Sequence, residues 1–207
     1  MEKLIFEVLD TKPFVKKHKV QFGAISGNSR NAAQKRVLKL HDVYSKTKNE
    51  KVLEVSSASN IPLGVSASAF NLNNSTGKTV ECMFQASKKF AKGGPYREIL
   101  DMSSAEAKKY KLLKNSGKLI GFVKDGKEYP LNPTTAFYNW IYINALVYNS
   151  DIAKHIQEYD AFSDIWFNHT FGLNCQAEAC AVYCGLVKSG QLENAMKSFE
   201  EFVKVVY

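Results

Sequence analysis

The chain has 207 residues, 45% of them hydrophobic and 23% charged, which excludes a disordered polymer and supplies the apolar side chains for a real core. Its formal charge is +8 and unevenly spread: residues 1–50 hold 11 Lys and Arg against 5 Asp and Glu. A basic first quarter suits a phosphate-rich partner, a nucleic acid or a nucleotide, or simply keeps the protein in solution.

No apolar run approaches the roughly 18–20 residues that span a bilayer, and no signal peptide is visible, so a soluble cytoplasmic chain with no membrane partner is expected. Cys82, Cys175, Cys180 and Cys184 form no disulfide framework and match no zinc spacing. They read as reduced, buried thiols, and no metal is required. His18, His41, His155 and His169 show no ligand spacing.

In chain order, Lys3–Leu9 alternates as a first strand and stops at Asp10-Thr11-Lys12-Pro13. Phe14–Phe22 is basic and partly extended, and Gly23–Ser29 is a glycine-serine loop whose backbone N–H groups suit an anion. Asn31 to about Tyr44 has helical spacing; Lys51–Val55 and Val65–Leu72 read as strands. Thr79 suits the cap of a helix over Val80–Phe90, which puts Glu81, Phe84, Gln85 and Lys88 on one side. That face joins an acid, an amide, an amine and a ring; it is either a solvated ladder or a site.

Lys92-Gly93-Gly94-Pro95-Tyr96 is a break, and Tyr96–Leu113 is one or two helical segments with Ser103 or Ser104 as cap. Lys124-Asp125-Gly126-Lys127 joins Leu119–Val123 to Glu128–Leu131 as a hairpin. Helices are expected over Thr134–Tyr148, Asp151–Gln157, Gln176–Lys188 and Gln191–Val205, with an aromatic-rich irregular stretch, Tyr159–Asn174, before the last two. With no repeat, low-complexity tract or linker, residues 1–207 read as a single α+β domain, mostly helical with a small antiparallel sheet.

Val80-Glu81-x-x-Phe84-Gln85-x-x-Lys88 resembles the signature helix of the NADAR (YbiA-like) family, and Asp164-Ile165-Trp166-Phe167 with Leu173-Asn174-Cys175-Gln176 resembles its later block. Lys51–Ser57, Leu63-Gly64-Val65, Ala69–Leu72, Gly93–Tyr96, Ser116–Phe122 and the Phe137–Leu146 run are similar to one branch, the antitoxins paired with guanine-targeting DNA ADP-ribosyltransferase toxins. The likeness runs from about Gln34 onward. The chain departs from ordinary members at Trp166–Gly172, where they have a glycine-rich tryptophan turn, and lacks their opening Phe-Ser-Asn-Phe block; Asn31–Lys35 stands there instead.

The resemblance implies cleavage of an N-glycosidic bond on ribose, with no cofactor. The substrate implied is ADP-ribosylated guanine in DNA or a related ribosyl nucleotide, and a further partner is a cognate toxin. The alternatives are an N-glycosidase acting on a phosphoribosylated metabolite of the riboflavin-pathway type and a non-catalytic ADP-ribose-binding antitoxin. Glu81 takes the central acid/base role, because an oxocarbenium-like state needs a carboxylate near C1′ and the leaving nitrogen needs a proton. Asp164 binds the ribose or orients water, or else caps its loop. Lys35 is either a Schiff-base nucleophile or a helix-surface lysine. Lys88 or the Gly23–Ser29 loop holds the diphosphate. Phe84, Tyr138 and Trp140 are stacking candidates for guanine or adenine, each taken singly reading as core before it reads as a stacking surface. Gln85, Asn174 and Gln176 are hydrogen-bonding candidates for sugar or base, with Asn174 also readable as a helix cap.

Overall fold

The structure, a computed structural model, describes residues 1–170 and 172–207; Phe171, within the stretch that departs from ordinary family members, lies outside them. The architecture is α+β, as expected, but with two small sheets rather than one. Strands β1 (Glu2–Val8) and β2 (Val15–Gln21) form an antiparallel hairpin. β3 (Val52–Glu54) and β7 (Ala161–Ser163) complete a sheet of order β2-β1-β7-β3, in which β3 runs parallel to β7. β7 falls inside the stretch expected to be irregular; three residues are too few to display a period of two.

Helix α1 (Arg30–Ser45) covers one face of this sheet, with Ala33, Val37, Leu40 and Tyr44 packed on Ile5, Val20 and Ala161. Its start is fixed by Ser29, whose Oγ accepts from Ala32 N at 3.2 Å. The other face, carrying Phe6, Leu53 and Phe162, shares the main core with α6 (Ala136–Tyr148) and α8 (Gln176–Lys188). Gly185 lets α8 approach the β1–β2 turn closely: a Cβ there would lie 2.4 Å from the Leu9 carbonyl oxygen.

The second sheet, β4-β5-β6, is antiparallel. β4 (Lys88–Phe90) pairs with β5 (Leu119–Lys124), and β5 turns into β6 (Lys127–Tyr129) through Asp125 and Gly126, both at positive φ as a tight hairpin demands. Two expectations are corrected here. Val65–Leu72 is not a strand: Pro62 opens the short helix α2 (Pro62–Ser66), and a turn follows in which Leu72 N bonds Ser68 O at 2.8 Å. The helix α3 is Val80–Ala86, not Val80–Phe90, because Ser87 caps it and the chain then extends into β4. Lys88 is therefore a strand residue rather than the fourth member of the helical face.

The remaining helices are α4 (Ser104–Lys109), α5 (Leu112–Asn115), α7 (Ser150–Ile156), α9 (Leu192–Ala195) and α10 (Phe199–Val206). Ser103 and Glu106 make a capping box at the start of α4. The expected helix over Gln191–Val205 is interrupted where Ser198 caps α10 through Glu201 N. No helix among the described residues is long and apolar enough to cross a membrane.

Candidate active site

α3 begins at Thr79, whose Oγ1 accepts from Cys82 N at 3.2 Å. The first two helical N–H groups are taken by the preceding turn: Val80 N donates to Leu72 O and Glu81 N to Ala69 O, each at 2.9 Å. All seven residues of α3 are buried, so the side carrying Glu81 and Gln85 does not face bulk water. It faces a cavity of about 720 Å³ lined by Ser56, Phe70, Glu81, Phe84, Gln85, Lys108, Tyr138, Asp164, Trp166, Asn168, Asn174 and Gln176 among others. That volume lies within the usual range for small-molecule and cofactor sites.

Glu81 is 7% exposed, and its Oε1 accepts from Gln85 Nε2 at 2.9 Å. This bond fixes the amide orientation, since the reverse would set two oxygens against each other. The Gln85 Oε1 left over is buried with no partner among the described residues. A buried carbonyl oxygen without a donor is costly, and this one belongs to a residue that lines the cavity, where a ligand hydroxyl or N–H would satisfy it.

Asp164 reaches the same cavity from the turn after β7. Its Oδ1 accepts from Trp166 N at 3.0 Å and Phe167 N at 3.2 Å, and its Oδ2 from Gln176 Nε2 at 2.9 Å. It thus caps its loop and lines the cavity at once. Burial raises its pKa, opposed first by the Gln176 hydrogen bond. Gln176 opens α8 and also accepts from Ala69 N at 2.7 Å. Ala69 is the residue whose carbonyl holds Glu81 N. Three hydrogen bonds, through Ala69 and Gln176, therefore tie the Glu81 backbone to the Asp164 carboxylate.

Tyr138 of α6 stands edge-on to Phe84, with ring centroids 5.1 Å apart. Burial, and then the nearby Glu81 charge, push its pKa up, so its hydroxyl stays a neutral donor. Asn174 lines the cavity and is not the cap of α8; Cys175 holds that place without a side-chain bond. Lys88 lies behind the wall, its Nζ 4.6 Å from the centroid of Phe84, and burial lowers its pKa against the pull of Glu81. It does not line the cavity, and neither does Trp140, whose ring packs on Phe199 and Phe202 at 6.2 and 5.5 Å. Lys35 is exposed on α1, outside the cavity lining.

A family model described as DarT1-associated NADAR antitoxin matches residues 1–207. The chain belongs to that family. The match extends the likeness seen in the sequence from about Gln34 back to the first residue. No curated protein matches this NADAR chain.

Several groups beside the cavity of this NADAR chain escape a reading of the sequence. Glu54 of β3 is fully buried; its Oε1 accepts from Ser56 Oγ at 2.6 Å and Ile165 N at 2.8 Å, its Oε2 from Ser163 Oγ. Burial and then the Asp164 charge raise its pKa. His41 of α1 bonds Ser163 Oγ at 2.8 Å, and burial brings its pKa down to about 4. Since the Ser163 hydroxyl is given to Glu54, a neutral His41 donates through Nε2–H. Lys3 of β1 donates to Phe167 O at 2.6 Å, and burial lowers its pKa while the nearby Asp164 raises it. The signal for Glu54 was a lone acid in the apolar run Val52-Leu53-Glu54-Val55, followed by Ser56. Lys3 gave none, because alternation in a strand does not say which polar residue is tucked against a neighbouring loop. Among the described residues no cluster of three or more His, Cys, Asp or Glu could hold a metal ion.

Proposed function

We propose that this chain hydrolyses the N-glycosidic bond joining ADP-ribose to guanine in DNA, and so reverses the modification made by a DNA ADP-ribosyltransferase toxin. The observation that carries the reading is the meeting of Glu81 and Asp164 in one cavity, with a neutral Tyr138 hydroxyl and the unpaired Gln85 oxygen beside them. As the bond between C1′ and the guanine nitrogen breaks, positive charge grows on C1′ and the ring oxygen, where the Glu81 carboxylate stabilises it. Glu81 Oε2 takes a proton from the water whose oxygen bonds to C1′ and hands that proton to the departing nitrogen, so the C1′–N bond is replaced by C1′–O, the carboxylate is restored, and the products are ADP-ribose and unmodified guanine. Asp164, with both oxygens already engaged, orients the ribose side of the cavity through its loop. The Gln85 oxygen accepts from a ribose hydroxyl or a guanine N–H.

The direct test is DNA carrying ADP-ribosylated guanine, with release of free ADP-ribose as the readout. Glu81→Ala is expected to lower the rate by about 10²–10⁴-fold. Undiminished turnover in that variant would remove Glu81 from the mechanism. Borohydride trapping settles the part of Lys35: direct attack by water leaves no adduct, whereas a Schiff base leaves an ADP-ribosyl adduct that Lys35→Ala abolishes.

A further inference from the structure

Trp166 is 44% exposed, yet it lines the cavity. Its backbone N–H is held by Asp164 Oδ1 at 3.0 Å, which ties the ring's backbone to the acid two residues before it. Behind the ring sits Arg36 of α1, its guanidinium carbon 5.9 Å from the indole centroid. Arg36 is only 8% exposed, and its Nη1 is fixed by two backbone carbonyls, Ile25 O at 3.1 Å and Gly27 O at 2.7 Å. Among the described residues it forms no ion pair with a carboxylate within 4.0 Å. A buried cation held only by neutral carbonyls leaves positive potential at the rim. Lys3 stands within electrostatic reach of both Arg36 and Asp164. Lys3 also stands within reach of the Glu54 carboxylate, so the rim's distinguishing feature is a large exposed ring backed by a fixed planar cation.

We propose that Trp166, braced by Arg36, is a stacking platform for a nucleobase whose neighbouring phosphate is drawn by the Arg36 charge. The proposal rests on the cavity's being a ribosyl-nucleotide site. Two sources share this chemistry: the adenine of the ADP-ribosyl group and the DNA base next to the modified guanine. Every base presents a π face, so the platform recognises the ring class and not a sequence.

The chain has two tryptophans, and Trp140 is packed against Phe199 and Phe202 outside the cavity lining, so quenching of indole fluorescence by a ligand in the cavity reports on Trp166. The full chain is titrated with ADP, with ribose 5-phosphate and with a short unmodified single-stranded oligodeoxynucleotide, and ADP-ribose affinity is measured by calorimetry. ADP or the oligonucleotide is expected to quench emission and ribose 5-phosphate is not; Trp166→Phe removes the quenching. Quenching by ADP assigns the platform to the adenine; quenching by the oligonucleotide alone assigns it to the flanking DNA base. Trp166→Ala is expected to weaken binding of the quenching probe about 5- to 100-fold. ADP-ribose binding without quenching, or equal affinity of both probes for wild type and Trp166→Ala, overturns the platform and leaves the hydrolase reading standing. Quenching without release of ADP-ribose from modified DNA sinks the hydrolase reading alone. If no probe binds, the platform falls, and the release assay alone decides the hydrolase reading.

Discussion

At the scale of single residues the site depends on how few donors reach each carboxylate. Among the described residues Glu81 has one, from Gln85, which leaves Oε2 available for chemistry. Asp164 has three, which suits it to hold geometry instead. Gln176 is the residue on which that geometry turns, because its two amide atoms bind Ala69 N and Asp164 Oδ2. Gln176→Ala strands the buried Ala69 N–H and frees one Asp164 oxygen. The expected cost is about 1–3 kcal/mol of stability, read by urea denaturation, together with a fall in turnover larger than any change in KM. A variant with wild-type kinetics would show that the Ala69–Gln176 bridge does not position the acids.

At the scale of elements, α3 is too short to be stable by itself, and its place is set by what holds its ends. Thr79 caps it, and the Thr79 hydroxyl also meets Ser104 Oγ at 2.8 Å, joining the start of α3 to the start of α4. Thr79→Ala is expected to lower stability by about 1 kcal/mol, with a matching drop in Tm, whereas Thr79→Ser should restore most of it. Equal melting of all three proteins would count against the cap. At its other end α3 gives way to β4, whose pairing with β5 captures Lys88 as a strand residue. Competition from the ladder is why the helix stops at Ala86 although the residues Ser87–Phe90 continue a helical spacing.

At the scale of the molecule, the His41–Ser163–Glu54 chain links α1, β7 and β3 across the first sheet and ends next to Asp164. Its two titrating ends act in opposite directions. His41 falls from 6.5 to about 4, so between those pH values only the unfolded chain binds the proton. Its contribution is present above pH 6.5 and lost as pH falls towards 4, by roughly 3 kcal/mol at most. Glu54 is raised, so its contribution is present at low pH and is lost as pH climbs above the ordinary carboxylate value. His41→Gln removes the acid-side loss and leaves that of Glu54. Relative to wild type, the variant is expected to gain stability from pH 6.5 down to 4.5, measured by denaturant titration at each pH. Parallel pH profiles for the two proteins would rule out His41 as the group responsible.

The local elements with a strong period or an unambiguous turn were legible in the chain itself. α8 runs over the expected Gln176–Lys188, and the Asp125-Gly126 hairpin and the capped start of α3 stand where their residues place them, because these depend on neighbours a few positions away. Helical spacing put Glu81, Phe84, Gln85 and Lys88 on one face, and the family resemblance, not spacing, added Asp164 and Gln176 to the candidates. What only tertiary structure decided was which polar and aromatic side chains turn inward. Trp140 and Trp166 have the same side chain in the sequence, yet one packs under α10 and the other stands at the cavity rim. β7, three residues long, exists only because β1 and β3 flank it. Such choices depend on partners far along the chain, and spacing within a segment carries no information about them.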